Sequence, residues 1–238
     1  MKQSLRHSYL SVRKDGIVSF GGDQSWDHRP HMRQSACGVI AAADLLLYLL
    51  RNEYHDSCRL FANGVKQDEP LSWEFYADFF EWIHRKYLPV IPHLGMIGWE
   101  LAWGLNRFFR HYGIPLKASW GVGRKDFFPT MSRMLEADIP VIFSIGPNFP
   151  LRFAGHKLPL YQKQGKQYRK VTAVNAHFVT AVSLDDQWIE ISSWGKHYYV
   201  NRREYWEYAK KRSGFLLSNM VKIEKREPFG RLHKRNCI

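Results

Sequence analysis

Cys37 and Gly38 open the run Val39–Leu50, which is apolar nearly all the way round and free of Gly and Pro. That pattern predicts a helix buried in the middle of a domain. A helix start gathers unpaired N–H groups and partial positive charge, which stabilise a thiolate, the reactive form of cysteine. A sulfur nucleophile needs a base for its proton, a group to orient that base, and donors for an oxyanion. Among eleven histidines, His177 fits the base best. It opens the apolar stretch Phe178–Val182, and a strand start can hold an imidazole rigidly at a cleft. His156, in a loop-like stretch, is the second candidate. His84, His93, His111 and His197 fall at helix ends, in loops or on exposed faces. The chemistry implied is acyl transfer through sulfur.

The elements that must position these groups can be read in order. Residues 8–20 predict a hairpin about Lys14-Asp15-Gly16, since Asp-Gly between alternating segments is a strong turn signal. Gly21-Gly22-Asp23-Gln24-Ser25-Trp26-Asp27 reads as a loop carrying an amide and an indole. The central helix then runs to about Asn52, and a polar connection with turn signals at Asn63-Gly64 and Glu69-Pro70 covers 53–70. Ser72 caps a helix to about Tyr87, a second helix spans Gly98 to Tyr112 with Trp99 on its apolar face, and a third spans Thr130 to Ala137. From Pro140 the period changes. Strands are predicted over Pro140–Ile145, Val171–Val174, Ala176–Leu184, Gln187–Ser192, His197–Val200 and Phe215–Ile223, with a helix over Arg203–Arg212. Helices followed by an antiparallel sheet define an α+β class. The expectation is a single domain. A helical subdomain covers about 34–138, a sheet subdomain about 139–225 plus the hairpin 8–20, and a basic tail 226–238. The central helix would line a cleft between the halves.

Composition narrows the function classes. At 45% hydrophobic and 15% aromatic residues, the chain buries a sizeable core, which excludes disorder. No apolar run reaches the roughly 18–20 residues of a membrane span. Met1–His7 lacks the apolar core of a signal peptide, so a cytoplasmic protein is expected. Cys37, Cys58 and Cys237 are too irregularly spaced for a disulfide framework or a zinc site, so reduced thiols are expected, with no metal and no cofactor. The net charge of +13 attracts polyanions. It concentrates in Arg152–Lys170, with six Lys/Arg and no acid, and in Lys222–Arg235. Neither stretch interleaves aromatics as nucleic-acid motifs do. An acidic partner on Arg152–Lys170 is the expectation that remains.

Downstream of His177 stands Ser192-Ser193-Trp194-Gly195, followed by the aromatic strand His197-Tyr198-Tyr199. This resembles the Asn-Ser-Trp-Gly element of papain-like cysteine peptidases. The order of Cys, His and this element agrees. In that family His and Asn lie roughly 130–150 residues after the cysteine, a scale that His177 meets and Ser192 slightly exceeds. The stretch Gly21-Gly22-Asp23-Gln24-Ser25-Trp26 before Ala36-Cys37-Gly38 narrows the resemblance to the bacterial bacteriocin-leader-processing type, C39-like. The resemblance implies a papain-like fold. It implies Cys37 and His177 as the catalytic pair, with Ser192 in the place of the orienting Asn. Asp185 or Asp186 serves instead if the turn between strands folds back. Gln24, or else Gln34, supplies the oxyanion donor beside the Cys37 N–H, and Gly38, Trp26, Asn175 and Trp194 line the cleft. Gln34 also stands where the longer papain signature carries a second Cys.

The expected function is a cysteine peptidase or thiol hydrolase acting on a peptide or amide bond. An acyltransferase or transglutaminase-like enzyme shares the same chemistry with a different acceptor. A non-catalytic binding module with a basic surface is the reading from another class.

Overall fold

The computed structural model describes residues 2–57, 69–91, 95–150 and 155–226. The Asn63-Gly64 turn signal, Cys58, the start of the basic stretch at Arg152, and the tail with Cys237 lie outside these residues.

The chain opens with β1 (Gln3–Ser4) and the hairpin β2 (Ser11–Lys14) to β3 (Ile17–Phe20). Asp15 and Gly16 turn the hairpin with φ of 50° and 79°, the left-handed pair whose twist matches that of the strands it joins. Helices α1 (Pro30–Ser35) and α2 (Cys37–Asn52) follow, then β4 (Leu71–Ser72) and α3 (Trp73–Lys86). Next come α4 (Gly98–His111), β5 (Leu116–Trp120), α5 (Phe127–Glu136) and β6 (Val141–Ile145). The second half holds β7 (Leu158–Gln164), β8 (Gln167–Val174), β9 (His177–Leu184), β10 (Trp188–Ser193) and β11 (Lys196–Asn201). Helix α6 (Arg202–Tyr208) and β12 (Val221–Lys225) complete it.

The class is α+β. Seven antiparallel strands form the main sheet. β9 is its axis, with β10 on one side and β6 and β1 set end to end on the other. β11, β7 and β8 continue beyond β10. β5 and β12 pair as a second sheet, and β2 is flanked by β3 and by β4 in a third. No helix among the described residues is long and apolar enough to cross a membrane.

Helix α2 holds this together. Its Ala and Leu residues are strong helix formers, and Val39, Ala42, Ala43, Leu45, Leu47 and Tyr48 are fully buried. It packs against β9 and β6 on one side and α3 and α4 on the other. Its neighbour α3 starts where Ser72 Oγ accepts the Phe75 N–H at 3.2 Å. Tyr76, Phe79, Phe80 and Ile83 then turn one face inward, the spacing of an amphipathic helix.

The hairpin 8–20 pairs with β4 in a small sheet of its own. It docks on the main sheet at its tip-distal end, where Phe20 N–H donates to Gly195 O at 2.8 Å. β5 carries little sequence signal: Lys, Ala and Ser are weak strand formers, and its partner β12 is remote in sequence. The last strand starts at Val221, because Gly214 at φ 92° leads into a turn. Trp99 is 47% exposed rather than core. The described part of the basic stretch is the β7–β8 hairpin.

Candidate functional site

Cys37 is the first residue of α2, and Ala36 before it offers no side-chain cap. The amides of Cys37 and Gly38 therefore act on the sulfur, as does Phe178 N–H, 3.5 Å from Sγ. These three lower the thiol pKa, but burial raises it by more, so the group rests as a neutral thiol. The residue as a whole is half-buried.

His177 begins β9 one residue after Ala176, which turns the chain at φ 49°. Its Nε2 lies 2.8 Å from Ser193 Oγ. The Trp194 ring stacks on the imidazole, with centroids 4.5 Å apart and planes 22° apart. Burial pushes the imidazole down to about 4, so it is neutral at ordinary pH. Nε2 being engaged, Nδ1 is the nitrogen available as base. Among the described residues no direct hydrogen bond joins Sγ to the ring. The two line one crevice of about 10 Å³, roughly the space one water needs. Gly22, Gln24, Asp44, Ser192, Ser193 and Trp194 are among the other residues of its wall.

The serine that meets the His177 ring is Ser193, not Ser192. Ser192 pairs with Thr180 on β9, which alternation sets on the face opposite His177. Its neighbour Ser193 therefore shares the face of the imidazole, and a slip of one residue is all that separates the two assignments. Ser192 Oγ instead donates to Phe20 O at 2.7 Å. Asp185 is not placed to replace either serine. Its carboxylate accepts from Gln187 N–H and Trp188 N–H in the turn at the far end of β9, and Asp186 belongs to that turn too.

Gln24 is buried in the crevice and donates from Nε2 to Arg33 O at 2.6 Å. That bond fixes the amide and leaves the second N–H of Nε2 for the site. Gln34 lies on the exposed side of α1 and lines a different space, a groove of about 380 Å³ that also reaches Cys37. Trp99, Trp120, Met96, Phe178 and Leu216 make that groove largely apolar. The sulfur thus stands between a tight crevice holding His177 and Gln24 and a much larger, mostly apolar groove.

Trp26 packs edge-on against Trp73, 5.0 Å between centroids, and lines a third cavity behind Gln24 rather than the crevice. Gly38 is buried under the Phe178 ring, 3.4 Å from where a Cβ would lie, and lines neither space. Asn175 sits in the turn before β9 and also lines neither. His156 N–H donates to Asn148 Oδ1 at 3.0 Å, away from the crevice. Among the described residues, no group of three or more His, Cys, Asp or Glu side chains could hold a metal ion.

Two features went unread in the sequence. One is the turn Trp194-Gly195, with φ of 49° and 65°. It ties β10 and β11 to the glycine loop through Gly195 N–H to Gly22 O at 2.9 Å. The other is Asp44, two turns along α2 from Cys37 and 1% exposed. Burial raises its carboxyl to about 6, offset in part by hydrogen bonds from Tyr76, Tyr9 and Gly22. A lone acid inside an apolar helix was its only signal.

No protein-family model, curated protein or solved structure matches the chain.

Proposed function

We propose that the protein is a cysteine-dependent thiol hydrolase of papain-like type that cleaves a peptide or amide bond. The observation that carries the reading is one crevice lined by Cys37 at a helix start, His177 bonded to Ser193, and Gln24. Sγ attacks the carbonyl carbon, and its proton passes to His177 Nδ1. Ser193 Oγ accepts from Nε2–H and holds the ring in that tautomer. The oxyanion accepts from Gln24 Nε2–H and from Cys37 N–H. His177 then returns the proton to the leaving amine, and water hydrolyses the thioester. The neutral resting pair makes His177 a base already free of its proton, so charge separates only as the sulfur attacks. The groove beside Cys37 favours apolar groups flanking the scissile carbonyl. Passage of the acyl group to an amine instead of water uses the same steps.

One observation favours a second reading. Burial holds the thiol up and the imidazole down, as in a binding module that has kept the fold without the chemistry. The basic β7–β8 hairpin would then recruit an acidic partner. Alkylation by iodoacetamide across pH 5 to 9 separates the two. The hydrolase reacts near neutral pH in a manner lost in His177→Ala. A thiol that titrates alike in both proteins, at or above the usual 8.5 or so, favours the binder and overturns the hydrolase.

A further inference from the structure

Resting on that hydrolase reading, we infer that Asp44 is the positioning residue of the oxyanion site, acting through the Gly21–Gln24 loop on Gln24. The carboxylate is spanned by three donors. Tyr76 Oη donates to Oδ1 at 2.7 Å and Tyr9 Oη to Oδ2 at 3.0 Å. Gly22 N–H is shared between the two oxygens at 3.1 and 3.2 Å. Gly22 is two residues from Gln24, and its carbonyl accepts Gly195 N–H from the turn that carries Trp194. One buried side chain on α2 therefore fixes the backbone to which both the oxyanion amide and the stacking indole are anchored.

The close fit shows in the glycines. A Cβ on Gly21 would strike Asp44 and Ser192, and a Cβ on Gly22 would strike the Tyr76 hydroxyl. Burying a carboxylate is costly unless it is hydrogen-bonded, and the core position of Asp44 would otherwise suit a leucine. A loop of two glycines has much freedom to lose, and the Asp44 clamp removes part of it, together with Gly21 N–H to Leu10 O at 2.9 Å, close to where Gln24 is held.

The test compares the full-length protein with Asp44→Asn, Gln24→Ala and the double variant, using two probes. Iodoacetamide reacts by displacement of iodide at carbon and forms no oxyanion, so it reads the sulfur alone. Turnover of 4-nitrophenyl acetate passes through an oxyanion and reads the donors as well. Asp44→Asn is expected to lower ester kcat at least about tenfold, a misplaced donor costing less than the roughly 100- to 1000-fold of a donor removed outright. KM and the alkylation rate should stay within about twofold. In the Gln24→Ala background Asp44→Asn should add little, because both act through one amide. Unchanged ester turnover in Asp44→Asn, additive losses, or an equal fall with both probes overturns the assignment. Tyr76→Phe removes one clamp hydroxyl and keeps the ring. If Asp44→Asn does not fold, the same coupling measured between Tyr76→Phe and Gln24→Ala decides. Ester turnover that survives Cys37→Ala instead overturns the hydrolase reading itself.

Discussion

Burial moves His177 and Asp44 in opposite directions, and the signs set how stability depends on pH. His177 falls from its ordinary value near 6.5 to about 4. Its contribution is complete above about pH 6.5 and is lost as pH falls through 4, because the unfolded chain takes up the proton first. Asp44 rises from 3.8 to about 6. Its contribution is complete below about pH 3.8 and is lost as pH rises through 6. Each shift is worth on the order of 3 kcal/mol, so between pH 4 and 6 the two largely cancel in the native protein. Single variants expose them. Denaturant midpoints should show His177→Gln gaining stability as pH falls from 6.5 to 4, where wild type stays nearly level. Asp44→Asn should gain on wild type by up to ~3 kcal/mol between pH 4 and 7. A parallel shift at all pH values would refute either sign. The serines give a second residue-scale prediction. Ser193→Ala should slow ester turnover about tenfold, the worth of one hydrogen bond to an imidazole that becomes charged. Ser192→Ala should cost stability through the Phe20 carbonyl and leave the pH profile unmoved. Cys37 and His177 were legible because residue type and flanking pattern speak locally. The choice of Ser193 over Ser192 was not, because strand register is a property of two strands and their neighbours.

At the scale of elements, the site stands on α2 and on one tight turn. Leu45 is fully buried in α2, so Leu45→Ala should cost about 2–5 kcal/mol by leaving a cavity, read as a lower midpoint with an unchanged slope. Gly195 has φ 65°, and a Cβ there would lie 3.1 Å from Ser19 Cβ. Gly195→Ala should therefore combine about 1–2 kcal/mol of backbone strain with a displaced Trp194. Thermal melting measures the first, and loss of ester turnover beyond the loss of folded protein measures the second. The long apolar or amphipathic helices were readable from period and caps, and the β2–β3 hairpin from Asp-Gly. β5 and the pairing of β2 with β4 were not, since short, weakly strand-forming segments acquire their state from distant partners.

For the whole molecule, charge and site are arranged apart. The β7–β8 hairpin forms the edge of the main sheet remote from β9, and Lys163, Lys166, Arg169 and Lys170 on it are exposed. Reversing Lys166 and Arg169 to Glu should lower the salt needed to elute the protein from heparin while ester turnover stays as it was. An unchanged elution would move the polyanion surface elsewhere. The α+β class was legible as a shift of period near Pro140. How α2 meets β9 was not, because that packing depends on which faces are buried against each other.

The stacking of Trp194 on His177 gives the protein an optical readout of its own chemistry. An indole in face-to-face contact with imidazolium loses emission by electron transfer, whereas a neutral ring leaves it bright. Protonation of this one histidine, whether by acid or by a proton handed over from sulfur, should dim one of the nine tryptophans, and in a rapid-mixing experiment the flicker would time the attack itself.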